Sequence, residues 1–237
     1  DPDGALLAKI AFDPPAAMVQ AQLTDRTDVV GRWLATDPLS RNKDEATVAT
    51  LKETLNTDPF YGVRLAAAKA LRTIGTEAAF AALQASTTQT HPQVRQQVAK
   101  ELTSFYRAEA CTAALALLKS ESNPILQAEA LRSLGPYATP EVRSTLIGFL
   151  SSNSFHNLFA DASIAAMRAQ DDPVYLEPLL ACVRTHAAAF TSGGLAQALD
   201  ALAWLARHQD DKSPVRELLL GRVNDLNDRI QRAAVSA

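Results

Sequence analysis

The stretch Val63-Arg64-Leu65-Ala66-Ala67-Ala68-Lys69-Ala70-Leu71 is the clearest copy of a pattern that recurs along the chain. Later copies begin at Val94, Leu126 and Phe159, so the four starting positions lie 31, 32 and 33 residues apart. Within each copy, apolar residues follow the spacing of one helix face, and a second apolar run comes after it. This period accommodates two helices and two short turns, so each copy is predicted to be one helical hairpin.

Capping signals fall at the same period as the apolar pattern. Proline is tolerated at the first position of a helix, and a preceding polar residue can cap the free N–H groups. Such pairs are Asp58-Pro59, Asn123-Pro124, Thr139-Pro140, Asp172-Pro173 and Ser213-Pro214, with His91-Pro92 in the same register. Gly75 and Gly135 are expected to end their helices through positive φ.

The repeat extends in both directions from its clearest copies. Ala16–Thr24 is predicted to be the first helix, and a poorer hairpin covers Asp28 to Leu55, with Asp44-Glu45 opening its second helix. After a loop at Thr191 to Gly194, one more hairpin follows, and the segment from Asp228 resembles half of a further repeat. The sequence therefore predicts an all-α solenoid, a right-handed superhelix of about six hairpins over residues 14–237. We expect the last hairpin to be truncated and the natural chain to continue beyond it.

Residues 1–13 have a different pattern. Leu6, Ala8, Ile10 and Phe12 fall on one face with Lys9 on the other, a period of two that predicts a short strand. Since a lone strand is unstable in water, we expect it to be the end of a sheet in a preceding domain. The alternative is an ordered tail that lies on the first helix.

Composition excludes several classes of function. The formal net charge is −3, and no dense Lys/Arg stripe is present, which argues against a nucleic-acid partner. The longest apolar run, Ala110 to Leu118, is too short to predict a membrane span. Cys111 and Cys182 lie in apolar helical surroundings and are expected to be buried thiols. Trp33 and Trp204 are expected in the core for the same reason.

The first third of the chain resembles a known family. The resemblance rests on Asp1-Pro2-Asp3-Gly4, the strand to Phe12, Gln22-Leu23, Asp28-Val29 with Gly31-Arg32, and Asp58 to Arg64. These residues are similar to the C-terminal portion of aminopeptidase N-like zinc metallopeptidases, whose last domain is built of HEAT repeats. The resemblance implies that residues 1–13 end a β-sandwich domain and that residues 14–237 form the HEAT-like domain. The rest of the chain resembles HEAT repeats only in general.

The catalytic motif of that family is missing from the chain. A zinc site of this kind needs His-Glu-x-x-His on a helix, which places two imidazoles on one face. The four histidines, His91, His156, His186 and His208, are scattered, and none is followed by Glu. No catalytic, metal or cofactor-binding residue is therefore assigned, and the zinc would belong to a catalytic domain of the parent protein.

Six residues are candidates for an interaction or structural role, namely Asp58, Phe60, Tyr61, Arg64, Arg95 and Gln127. Arg64 and Arg95 occupy equivalent repeat positions, and the resemblance implies a ladder of Asp and Arg between neighbouring repeats. Gln127 takes the next position and interrupts the ladder. A ligand-facing role is the alternative for these residues. Phe60 and Tyr61 cannot both face a helical core, so one of them could be exposed, although packing on the preceding repeat is favoured.

Two functions of different classes fit these observations. The favoured one is a non-catalytic helical scaffold or lid that packs on the catalytic domain of a metallopeptidase and limits which peptides reach the zinc. The alternative is a stand-alone module that holds a protein partner on its concave face. An enzyme built on the HEAT fold would need His-Glu pairs or a cofactor pocket, and the sequence contains no motif for either.

Overall fold

The computed structural model describes residues 14–152 and 154–237, and it is built of α-helices joined by short turns. The α-helices of the described residues are α1 Ala16–Thr24, α2 Val29–Leu39, α3 Glu45–Thr57, α4 Tyr61–Ile74, α5 Glu77–Gln84, α6 Pro92–Thr103, α7 Ala108–Ser120, α8 Pro124–Ser133, α9 Pro140–Phe149, α10 Leu158–Gln170, α11 Leu176–His186, α12 Ser192–Ala206, α13 Ser213–Leu220 and α14 Asp228–Ser236. Short 3₁₀ helices are formed by Phe155–Asn157, Pro173–Tyr175 and Ala187–Ala189. Within these ranges no residue lies in a β-strand, which confirms the all-α prediction. The strand predicted at Leu6–Phe12 lies outside the described residues.

The helices pack mainly between neighbouring repeats. Within each unit, first helices of successive hairpins pack on each other, as α2 does on α4, α4 on α6, α8 on α10, and α10 on α12. Contacts divide the chain into two compact units, with the boundary between Ala113 and Ala114 inside α7. The first unit contains α1 to α6, and the second contains α8 to α14.

Equivalent apolar positions of successive repeats are buried. Leu71, Leu102, Leu134 and Met167 have the same repeat position and are each no more than 3% exposed. The starting residues Val63, Val94 and Leu126 are also buried. Phe159, which starts the fourth copy, is only half-buried, and its ring meets Phe149 edge-on with 5.6 Å between centroids. Cys111 and Cys182 are buried, as expected, and burial raises the pKa of the Cys182 thiol.

Side-chain caps start many of the helices as the sequence predicts. Asp44 accepts a hydrogen bond from the Thr47 N–H (2.7 Å) at the start of α3, and Asn123 and Thr139 cap α8 and α9. Two predicted boundaries are wrong. Helix α4 begins two residues after Pro59, with Phe60 as its N-cap. Thr191 caps α12 directly, so Ser192 and the two glycines that follow form its first turn instead of a loop.

The two glycines predicted to end helices have different roles. Gly75 adopts φ 69°, the left-handed conformation expected after the last turn of α4. Gly135 does not have positive φ, so the prediction for it is wrong. A Cβ at residue 135 would lie 3.0 Å from the Cβ of Ala169, so this glycine allows close packing of α10 on the end of α8.

We expect Leu102→Ala to lower the free energy of unfolding by about 2–5 kcal/mol, because it removes buried methyl groups from the core. Since each repeat contacts only its neighbours, amide protection measured by hydrogen exchange should be lost mainly in α4 to α6. Leu226→Ala is the control, since Leu226 is fully exposed. Loss of protection spread evenly over both units would contradict the assignment of Leu102 to a local repeat core.

Candidate functional site

A buried ion pair joins the first two hairpins. Nε of Arg32 donates a hydrogen bond to Oδ2 of Asp58 (2.7 Å), and Nη2 donates to Oδ1 (3.3 Å). Nη1 of Arg32 donates to the Asp25 carbonyl (2.8 Å), and the Phe60 N–H donates to Oδ1 of Asp58 (2.9 Å). Arg32 is 1% exposed and Asp58 6%. The hydrogen bonds to Asp58 raise the pKa of Arg32.

The equivalent position in the next repeat has an uncharged partner. Nη1 of Arg64 donates to Oε1 of Gln89 (3.5 Å), and Nε2 of Gln89 donates to Oδ1 of Asn56 (2.7 Å). Asn56 in turn donates through Nδ2 to the hydroxyl of Ser86 (2.9 Å). A chain of amide and hydroxyl groups therefore links α3 with the turn that precedes α6.

The remaining ladder candidates bind backbone carbonyls. Nη1 of Arg95 donates to the carbonyls of Gln89 (2.9 Å) and Thr90 (3.0 Å). Nε2 of Gln127 donates to the Leu118 carbonyl (3.3 Å). Asp58 instead pairs with Arg32, a residue that the sequence analysis did not select. The spacing of 32 residues between Arg32 and Arg64 is the signal that could have identified it.

Both aromatic candidates at the start of α4 are exposed. Phe60 is 41% exposed and Tyr61 37%. The Tyr61 ring stacks on His91, with 4.5 Å between centroids and 9° between planes. The Phe60 ring covers Gly62, where a Cβ would lie 2.5 Å from Cε1 of the ring. Gly62 therefore allows Phe60 to lie against the first turn of α4.

A groove of about 500 Å³ lies between α2 and α4, and Gly62 is one of its lining residues. Trp33, on the α2 side, is 52% exposed, so the prediction that it belongs to the core is wrong. The lining residues are Trp33, Leu34, Thr36, Asp37 and Ser40 from α2, and Gly62, Leu65, Ala66, Lys69, Ala70 and Thr73 from α4. The groove therefore exposes an apolar surface with an aromatic residue at its edge.

Trp204, in the second unit, is also more exposed than predicted. It is 41% exposed, and the guanidinium carbons of Arg207 and Arg168 lie 3.9 and 5.0 Å from its ring centre. Arg207 also binds the Asp171 carboxylate, and this hydrogen bond lowers the pKa of Asp171. Asp171 is therefore part of an ion pair that connects the end of α10 with the end of α12.

Asp161 is a carboxyl group that the sequence analysis did not select. It lies in the first turn of α10 and faces α12, where a Cβ at Gly194 would be 2.4 Å from its Oδ1. Burial raises the pKa of Asp161 to about 6, although the positive charge of Arg132 acts in the opposite direction. Asp161 therefore lies between α10 and α12, and Gly194 leaves room for its carboxyl group because it has no side chain.

Over residues 14–152 and 154–237, no three His, Cys, Asp or Glu side chains are grouped so that they could hold a metal ion. No helix in the described part of the chain is long and apolar enough to cross a membrane.

We expect Asp58→Ala to lower the free energy of unfolding by about 3–5 kcal/mol, because Arg32 would keep a buried charge without its carboxylate. The matched control is Asp37→Ala, which removes an exposed pair with Arg41 and should cost at most about 1 kcal/mol. Urea unfolding of both variants at neutral pH measures the difference. Equal losses in the two variants would show that burial of the Arg32 pair has no special effect.

We expect Asp161→Asn to change how stability depends on pH. With a pKa of about 6 against 3.8 ordinarily, folded Asp161 keeps a proton that the unfolded chain has released. The contribution of this group to stability is therefore present below about pH 4 and is lost as the pH rises to about 6. Urea midpoints measured across this range should converge at low pH, with the variant more stable above about pH 6. Parallel curves would contradict the raised pKa.

Comparison with known proteins identifies the type of repeat. The profile of the family described as HEAT repeats matches residues 16–103, which include α1 to α6. The match therefore covers the Arg32–Asp58 ion pair, the amide network around Arg64, and the groove between α2 and α4. No curated protein matches the chain. The described part of the chain is thus an all-α, HEAT-like helical repeat structure, the type of fold that serves as a scaffold or a protein-interaction module.

Proposed function

We propose that the chain is a non-catalytic helical scaffold that binds the surface of another protein domain. The observation that carries this proposal is the groove between α2 and α4, with the exposed Trp33 among its lining residues. Exposed tryptophan next to an apolar groove is typical of protein-binding sites, where aromatic residues contribute much of the binding energy. Stacked helical repeats also provide the extended surfaces that such binding uses.

We propose further that the bound surface belongs to the catalytic domain of an aminopeptidase N-like zinc metallopeptidase. The support is the resemblance of the first third of the chain, in particular the segment from Asp58 to Arg64. Three residues of that segment have identifiable structural roles, since Asp58 binds Arg32, Gly62 lies under Phe60, and Val63 is buried. In this proposal the helical domain limits which peptides reach the zinc, and all chemistry belongs to the catalytic domain.

A stand-alone module that binds a protein partner is the second candidate. The exposed groove favours it, because an apolar surface with Trp33 at its edge is open to an external partner. In this case the partner would be encoded elsewhere, and the groove would be the main contact instead of one face of an intramolecular interface.

The reading frame upstream of Asp1 distinguishes the two candidates. If the first is correct, it encodes His-Glu-x-x-His, and the longer protein hydrolyses aminoacyl substrates. We then expect deletion of residues 14–237 to raise kcat/KM for long peptides relative to dipeptides, because access to the zinc is less restricted. The control variant, Leu226→Ala in the longer protein, should leave this ratio unchanged. An upstream frame without the motif would contradict the metallopeptidase proposal and leave the stand-alone module.

A further inference from the structure

We propose that the packing contact between α10 and α12 is a proton-sensitive switch, closed when Asp161 is protonated and loosened when Asp161 is ionised. Such a switch does not depend on the proposed function, since it concerns only how two helices of the second unit are held together. It also assigns the effect of pH to one helix contact, instead of to the stability of the whole chain.

The carboxyl group of Asp161 occupies the space beside the first turn of α12. A Cβ at Gly194 would lie 2.4 Å from Oδ1 of Asp161 and 2.7 Å from Oδ2, so both oxygens face this turn closely. Because glycine has no side chain, α12 packs directly on the acid. The state of the carboxyl group is therefore coupled to the contact between the two helices.

The polar groups on this side of α10 lack hydrogen-bond partners. Oδ1 of Asp161 is buried, and no donor among the described residues bonds to it. Nδ2 of Asn157, one helical turn earlier, is also buried without an acceptor from the described chain. An uncharged carboxyl group tolerates such surroundings better than a carboxylate, whose burial without a donor is costly. Ionisation of Asp161 therefore favours any movement that admits water to the carboxylate.

The charge that acts on Asp161 comes from α8. Arg132 lowers the pKa of Asp161, but Arg132 is also paired with Glu129 of the same helix at 3.6 Å. In the turn before α10, His156 is exposed. Burial outweighs the effect of Arg132 and raises the pKa of Asp161 to about 6.

Charged groups on the other neighbouring helices have different positions. Two ion pairs occupy the charged residues of α9, namely Arg143–Asp172 and Glu141–Lys119. On α12, Asp200 is exposed. From α14, Nη1 of Arg229 would lie 2.9 Å from a Cβ at Gly193, so this arginine is next to the first turn of α12. None of these residues accounts for the shift of Asp161, which leaves burial between α10 and α12 as its main cause.

Ionisation acts on the contact in one direction. In the closed contact Asp161 keeps its proton up to about pH 6, whereas an Asp161 exposed by opening has its ordinary pKa of 3.8. Protons therefore favour the closed contact, and closure weakens as the pH rises through this range. With these two pKa values, the equilibrium constant for opening should rise about fiftyfold between about pH 4 and about pH 7.

Hydrogen exchange followed by mass spectrometry locates this effect along the chain. The 237-residue protein is measured between about pH 4 and pH 8, and the rates are corrected for the ordinary effect of pH on amide exchange. We expect protection in the first turns of α12, from Gly194 onward, to fall about fiftyfold between about pH 4 and pH 7. Protection of α4, in the first unit, is the internal control and should not fall in this way.

Three variants test whether the charge of Asp161 causes the change. Asp161→Asn should make the protection of α12 independent of pH, at the level that the original chain has near pH 4. Arg132→Gln should move the midpoint of the change to higher pH, because it removes a positive charge that favours the carboxylate. Asp200→Asn removes an exposed carboxylate of α12 and is the matched control, so its pH profile should equal that of the original chain.

Two results would overturn the proposal. An Asp161→Asn chain with the pH profile of the original would show that another group is responsible. Equal loss of protection in α4 and α12 would show a change of the whole chain instead of one helix contact. If circular dichroism shows that Asp161→Asn is unfolded, Arg132→Gln decides the question, because a midpoint that does not move contradicts the switch.

Discussion

A helical hairpin of this chain cannot bury its apolar face by itself, and that constraint governs the rest of the structure. Each first helix has a broad apolar stripe, so it must pack on the helices of a neighbouring repeat. Leu71 and Leu102 are buried for this reason, although they belong to different repeats. Because apolar packing fixes the spacing of the repeats, residues outside the apolar stripe can form polar contacts between hairpins or remain exposed.

The polar contacts between hairpins differ along the first unit because the packing does not demand a particular chemistry there. Arg32 is buried with Asp58, and this arrangement needs both charges to be paired in a dry environment. One repeat later, Arg64 meets Gln89, which is connected to Asn56, and no carboxylate takes part in these bonds. An amide network of this kind avoids burying a carboxylate, but it leaves the buried Nε of Arg64 without a hydrogen-bond partner among the described residues. The two repeats therefore share the same helical geometry but differ in the polar contacts that connect them.

The helices were predictable from sequence because period, caps and apolar spacing all agree, whereas side-chain exposure was not. Trp33 and Leu34 are adjacent on α2 and about 100° apart on the helix, so an apolar pattern does not show which one reaches solvent. Arg32 was missed because its spacing of 32 residues from Arg64 marks an equivalent repeat position but does not show that the side chain is buried. Gly135 was misassigned since sequence alone does not separate positive φ from close helix packing. These features depend on neighbouring helices, which local patterns do not specify.

The groove has a mechanical consequence, because it leaves part of the interface between α2 and α4 unfilled. At the N-terminal ends of the two helices, the Arg32–Asp58 pair fixes their separation through short hydrogen bonds. Towards Ser40 and Thr73 no such ion pair holds the helices in the part of the chain that the structure describes, and Leu39 of α2 and Leu71 of α4 are buried there instead. The joint between these two repeats is therefore held by hydrogen bonds at one end and by apolar packing at the other. Bending there would change the width of the groove, so a segment bound in it would also stiffen the array.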